Sequence, residues 1–384
     1  MSILRSAVDK INVVYTSVIS TGSKHFYRRN YKKLLNRHPI SLAEGEADFI
    51  SKWFPLSKHP HLPSYRLFSQ YIGANPDIVP EDISAAIIQP LLNPTEYRPY
   101  YQDKNAFEKI LPSSFLPEAL FRMVNGTYLT ADYKPLGELS YKILDELTEG
   151  VDTLFIKPAT DSSSGQGVMK FTRDSSGKLV CKDNTSPFDV NFLKEYSKAN
   201  SNFIVQKALS QSEYIAQFNP SSINTLRVAT YKSVVDNHTH VCAIILRIGK
   251  KGADVDNAHA GGLFVGVGLD GTLGKYACDQ YGNRYDTFNG IDFKNGDFRI
   301  PEFEKVISFA EKVGDNIMHH RLVAQDICMQ ANGEPCLVEF NIRAFSVWLF
   351  QFTIGPALGK YTDEIIEYCA KHKKEVRKVF VEPF

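Results

Sequence analysis

Asp326, Glu339 and Asn341 are the residues whose types and spacing most directly suggest chemistry. They fall in the run Asp326-Ile-Cys-Met-Gln-Ala-Asn-Gly-Glu-Pro-Cys-Leu-Val-Glu339-Phe-Asn341-Ile-Arg343, which reads as two strands joined at the turn-forming pair Asn332-Gly333. Residues two apart on a strand share a face, so Glu339 and Asn341 point the same way and can meet Asp326 from the facing strand. Two carboxylates and an amide carbonyl form an all-oxygen donor set, which suits Mg²⁺ holding a substrate phosphate. The same acids also fit a solvated hairpin with a wet face.

A second constellation lies upstream. Lys157 sits on the strand-like Phe155-Ile-Lys157-Pro and is followed by Ser162, Ser163, Ser164, Gly165 and Gly167. Glycines let backbone N–H groups approach an anion, serines add donors and the lysine adds charge, so the segment can cradle phosphates. It matches neither the Walker pattern nor G-x-G-x-x-G, and it also fits an ordinary flexible turn. Lys104 opens an amphipathic helical stretch further upstream and is either a second phosphate lysine or a solvent-facing first-turn residue.

These residues need elements to carry them. Residues 1–100 read as helical segments punctuated by prolines such as Pro39, Pro55, Pro76 and Pro90. From about residue 151 the spacing predicts strands over 153–158, 167–172, 178–181 and 203–209, with a helix over 189–199 capped by Asp189. Further strands fit 225–232, 241–248 and 263–269, helices fit 302–320 and 363–374, and the hairpin lies between them. The expected class is α+β, with a mainly helical region over 1–100 and a second region over 101–384.

The chain has 384 residues, 43% hydrophobic and 23% charged, enough for two or three domains with full cores. Its 44 basic and 43 acidic residues nearly cancel, which excludes any global polyanion-binding character; no nucleic-acid partner is expected. The six cysteines lack metal or redox spacing and suit a reducing compartment, with Cys328 and Cys336 facing each other as free thiols. No run approaches the roughly 20 apolar residues of a membrane helix, and no signal sequence is read, so a cytoplasmic location is expected. The basic, aromatic segment 24–33 fits a solvated helix face or a membrane or partner contact.

Taken in order, the pieces resemble the ATP-grasp superfamily, most closely its sugar-transfer-associated branch. Asp103-Lys104-Asn105 is similar to the first nucleotide lysine, and Lys157 with Ser162 to Gly167 to the second lysine and its lid. Gln206, Lys207 and Leu209 resemble the hinge that meets adenine, and Glu213 the ribose contact. Arg227 resembles the arginine facing phosphate, Asn257 with Gly261 and Gly262 the acceptor loop, and Asp326, Glu339 and Asn341 the magnesium ligands, with Arg343 just beyond. The resemblance implies an ATP-grasp fold over 101–384 with a lid over about 151–209, and ATP and Mg²⁺ as cofactors.

It further implies a ligase joining a small-molecule carboxylate to an amine through an acyl phosphate, with sugar-linked substrates from polysaccharide or glycan biosynthesis among those expected. A small-molecule kinase using the same site, and a nucleotide-binding scaffold for glycosyltransferases, stay open. Arg227 and Arg343 are candidates to steady the phosphoryl group, or else members of structural ion pairs. His259 is a candidate proton carrier, or a surface histidine. Asp326→Ala and Glu339→Ala are expected to abolish turnover with the fold intact. Sequence leaves the acceptor, the oligomeric state and the role of residues 1–100 open.

Overall fold

The computed structural model describes residues 2–160, 167–181, 186–253, 255–343 and 345–375. The first hundred residues are helical. Helix Ser2–Leu35 carries Lys32 and Lys33 in its last turn, where positive charge meets the negative end of the helix dipole. It packs Tyr31 edge-on against Phe68 of helix Leu62–Ile72. The prolines punctuate as expected except at Pro90, which lies inside a continuous helical run from Glu81 to Leu92. There the backbone widens into a π turn over Ser84–Ile88, with the Gln89 N–H donating to Ser84 O, and the wider turn accommodates a ring that cannot donate an N–H.

Two antiparallel sheets follow. The first is built from β1 (Ala119–Val124), β2 (Thr127–Thr130), β3 (Thr153–Pro158), β4 (Met169–Arg173), β5 (Leu179–Cys181) and β6 (Phe203–Lys207), in the order β2-β1-β6-β3-β4-β5. Helices Tyr141–Leu147 and Val190–Ala199 cover one face through Leu144, Val190 and Leu193. Asp189 caps the second of these, accepting from the Phe192 N–H at 2.8 Å. Sequence reading began this unit near residue 151 and missed β1 and β2. Their turn is Asn125-Gly126, with φ of 48° and 79°, the same tight-turn chemistry that marks the later hairpin.

The second sheet comprises β7 (Leu226–Lys232), β8 (Thr239–Ile248), β9 (Leu263–Val267), β10 (Leu273–Cys278) and β11 (Arg284–Tyr285). A separate two-stranded ribbon, β12 (Thr287–Phe288) and β13 (Ile291–Asp292), precedes the last members, β14 (Leu322–Met329) and β15 (Pro335–Asn341). The sheet order is β11-β10-β9-β8-β7-β14-β15.

Both faces of this sheet are covered, so its central strands read as nearly continuous apolar runs. Helix Phe303–Asn316 packs on one face against Val228, Ile244, Val323 and Ile327. The other face, carrying Ala229, Tyr231, Ala243, Ile245, Leu322 and Ala324, meets the N-terminal helices and the C-terminal helices Val347–Gln351 and Thr362–His372. Strand alternation extends this second face to Arg227, Arg247 and Asp326. The apolar face thus turns polar at one end, beside the first sheet. No helix among the described residues is long and apolar enough to cross a membrane.

Candidate functional site

The polar end of the large sheet depends on a bulge. In β14 and β15, Ile327 pairs with Leu337 but Asp326 pairs with Glu339, which leaves Val338 as the extra residue. Strict alternation would put Leu337 and Glu339 on one face. The bulge instead lets Leu337 enter the core while Glu339, opposite Asp326, and Asn341, opposite Ala324, share the other face. The expected convergence is therefore present, and the bulge that produces it has no sequence signature. Cys328 and Cys336 stand directly opposite each other as buried free thiols.

Asp326 is 2% exposed and its carboxylate is engaged by two arginines. Arg227 donates from Nε to Oδ1 and from Nη2 to Oδ2, both at 2.8 Å, and Arg247 Nη1 reaches Oδ2 at 3.1 Å. Burial works against ionisation here, but the guanidiniums of Arg227 and Arg247, with the hydrogen bonds from Arg227, hold the carboxyl below its ordinary range. Arg247 is a site residue that sequence reading missed, as are Asp256 and Thr225. It is the lone charge in the apolar run Val241-Cys-Ala-Ile-Ile-Leu-Arg247-Ile248, and a charge in a buried strand requires a partner, which was the readable signal. Arg247 also pairs with the buried Asp256 at 2.9 Å and donates to Asn257 Oδ1. Burial pushes the Asp256 carboxyl up, against the pull of Arg247.

The facing wall comes from the first sheet. Lys157, on β3, has its ammonium pushed down to about 8, first by burial and further by Lys104, with Glu339 opposing. Lys104 begins the helical stretch expected there, a 3₁₀ turn over Lys104–Ala106 that runs directly into helix Phe107–Ile110, and Asp103 caps its start by accepting from the Asn105 N–H at 2.9 Å. The Lys104 N–H donates to Ala159 O at 2.8 Å, tying the turn to the end of β3. Buried Arg122 of β1 braces it from below through Asn105 O at 3.1 Å and the Glu108 carboxylate at 2.5 Å. Gly167 has φ of +74°, and a Cβ there would lie 2.8 Å from Pro158 Cγ, so glycine is what fits this close to the end of β3.

Between the walls lies a cleft of about 190 Å³. Lys104, Lys157, Lys207, Leu209, Asn257, Asp326 and Glu339 line it, as do Arg247 and Asp256. Gln206 lines a small adjoining cavity, where its amide donates to Pro117 O at 3.4 Å. At the expected hinge, the N–H groups of Lys207 and Ala208 already donate to Glu118 O and Thr153 O, both at 2.9 Å.

Besides Gln206, the expected residues Gly167, Glu213, Arg227, His259, Asn341 and Arg343 do not join the cleft lining. Glu213 is exposed on the short helix Glu213–Ala216, and His259 is exposed on the turn Ala258–Ala260. Arg343 lies past the end of β15, and its charge acts on the Tyr27 hydroxyl of the N-terminal helix. Arg227 is engaged with Asp326, the ion-pair alternative of its sequence reading. Ser162, Ser163, Ser164 and Gly165 fall outside the described residues.

Asp326, Glu339 and the Asn341 carbonyl give oxygen donors only, which fits a hard divalent cation completed by phosphate and water, with both Asp326 oxygens already accepting from arginines. Among the described residues no third His, Cys, Asp or Glu joins them.

Several solved structures are similar in fold. N5-carboxyaminoimidazole ribonucleotide synthetase in its ADP complex shares 15% identity over 64% of this chain and 45% of that one, with a TM-score of 0.35. Bacillus anthracis D-alanine–D-alanine ligase shares 14% over 72% and 69%, with a TM-score of 0.37. Bacillus licheniformis L-amino acid ligase shares 14% over 66% and 44%, with a TM-score of 0.34. This chain thus spans less than half the length of the first and third. No curated protein sequence matches it. The sequence profile of the sugar-transfer-associated ATP-grasp proteins matches residues 85–366, a span that takes in both sheets and both walls of the cleft. The chain has the ATP-grasp fold and belongs to the sugar-transfer-associated ATP-grasp family.

Proposed function

We propose that this chain is a ligase that uses ATP to join a carboxylate to an amine, in the glycan biosynthesis that its family's description suggests. The observation that carries the reading is the meeting, in one cleft, of lysines from one sheet with carboxylates and an arginine from the other. That distribution of charge suits a polyphosphate on one wall and its cation on the other.

In this reading Lys104 and Lys157 neutralise the α- and β-phosphates as point charges. Phe155, Leu209 and Val255 supply apolar surface for the base, and with the Lys207 and Ala208 N–H groups already bonded, the main chain at Leu209 meets adenine. Glu339, Asn341 and Asp326 would hold Mg²⁺, whose charge would screen the polyphosphate when bound. A carboxylate oxygen attacks the γ-phosphorus; its O–P bond forms as the bond to the bridging oxygen breaks, giving ADP and an acyl phosphate. The amine then attacks the acyl carbon, phosphate leaves, and the nitrogen loses a proton to give the amide. For both steps the chain supplies position and fixed charge rather than covalent chemistry.

Incubation with ATP, Mg²⁺ and a panel of sugar acids and amino acids, each paired with amines, tests the reading. The expected products are ADP, inorganic phosphate and a condensation product lighter than its two precursors by one water. A phosphorylated acceptor formed without phosphate release would instead identify a kinase.

A further inference from the structure

Arg247 is held from two sides. Nη1 donates to Asp326 at 3.1 Å, and Nη2 reaches Asp256 Oδ1 at 2.9 Å and Asn257 Oδ1. Asp256 is 8% exposed and is fixed in turn, its Oδ2 accepting from the Thr225 N–H at 2.9 Å and the Thr225 hydroxyl at 2.5 Å. Both its oxygens are therefore engaged, so it is not placed to take a proton from an incoming nucleophile. Any influence it has on the reaction passes through Arg247.

The loop that carries Asp256 is pinned by close backbone approach. A Cβ on Gly262 would lie 2.7 Å from Asp256 O and 2.9 Å from Ile248 O, and one on Gly249 would lie 2.8 Å from Val255 O. Thr225 directly precedes β7, the strand of Arg227, so Thr225, Asp256, Arg247 and Asp326 form one connected chain across the sheet end.

The two arginines show what this arrangement does. Arg227 meets one carboxylate, closes on it with two parallel hydrogen bonds, and does not line the cleft. Arg247 is drawn by two carboxylates in opposite directions and stays in the cleft wall, its Nε–H making no hydrogen bond among the described residues. A guanidinium kept in this way presents a planar donor edge to an oxyanion.

We propose that Asp256, braced by Thr225, is a positioning residue that holds the Arg247 guanidinium toward the terminal phosphoryl group of the nucleotide. The proposal rests on the ATP reading above. Without the charge of Asp256, Arg247 folds onto Asp326 as Arg227 does and leaves the wall.

The test is calorimetric titration of wild type, Asp256→Asn and Thr225→Val with the β,γ-imido analogue of ATP and, separately, with ADP, each with Mg²⁺, alongside thermal melts. Asp256→Asn is expected to weaken binding of the triphosphate about tenfold, the scale of one charge-assisted hydrogen bond, while ADP affinity stays unchanged. Thr225→Val should shift the same ratio by about threefold, and it carries the comparison if Asp256→Asn does not fold. Equal weakening for both nucleotides, or none for either, overturns the positioning role. If wild type binds neither nucleotide, the ATP reading falls and this proposal falls with it.

Discussion

The two walls of the cleft carry their charge in opposite ways. On the large sheet, Arg227 and Arg247 are matched to Asp326 and Asp256 within hydrogen-bonding distance, so that wall is neutralised in advance. On the small sheet, Lys157 pays for its burial with a weakened hold on its proton, Glu339 answering the loss only in part. The difference teaches that one wall is a fixed frame and the other is prepared to receive negative charge. Removing the shared carboxylate Asp326 from the first wall should accordingly cost stability, and removing Lys157 from the second should cost affinity.

The largest effect is expected at Asp326. Replacing it with Ala leaves two guanidiniums at the end of a buried sheet without their shared carboxylate, at a cost of about 3–5 kcal/mol of folding stability. The expectation from sequence is an intact fold, and urea unfolding of the variant decides between the two. Next is Lys157→Ala, which should lower ATP affinity about tenfold or more and leave unfolding free energy nearly unchanged, as read by calorimetry and urea titration together. A large loss of stability there would erase the contrast between the walls.

The third test sharpens the contrast through pH. The proposed phosphate contact needs the charged ammonium, which Lys157 keeps below about 8 and loses as pH rises through that value. ATP affinity should therefore fall from pH 7 to pH 9 in wild type and stay flat in Lys157→Arg, whose guanidinium does not titrate in this range. An equal slope in both proteins would place the titrating group elsewhere. The smallest effect is at His259: it is exposed on its turn and lies outside the cleft lining, so His259→Ala should leave ATP affinity unchanged.

How much of this was legible in the sequence depends on the range of the interaction. Local signals read well: the Asp189 cap, the strand of Lys157, the hairpin turn at Asn332-Gly333 and the shared face of Glu339 and Asn341 all follow from neighbours in the chain. What escaped was set by contacts between distant segments. The Val338 bulge arises from register with β14, the engagement of Arg227 from a carboxylate 99 residues away, and the role of Arg247 from a loop that folds back across the sheet end. His259 and Glu213 stand out only by their place in the order of motifs, and the turn and short helix that carry them lie outside the cleft lining. The π turn before Pro90 is a further case, since packing on the large sheet keeps a helix running where the local signal says stop.

The claim that most of this depends on is that the cleft between the sheets is a nucleotide site whose affinity comes from the lysine wall. Titration of ATP with Mg²⁺ into wild type and Lys157→Ala, at a pH below 8 where Lys157 is charged, tests it most directly. Micromolar-range binding by wild type, weakened about tenfold or more in the variant, is the expected result. Equal binding by both proteins, or none by wild type, would contradict it.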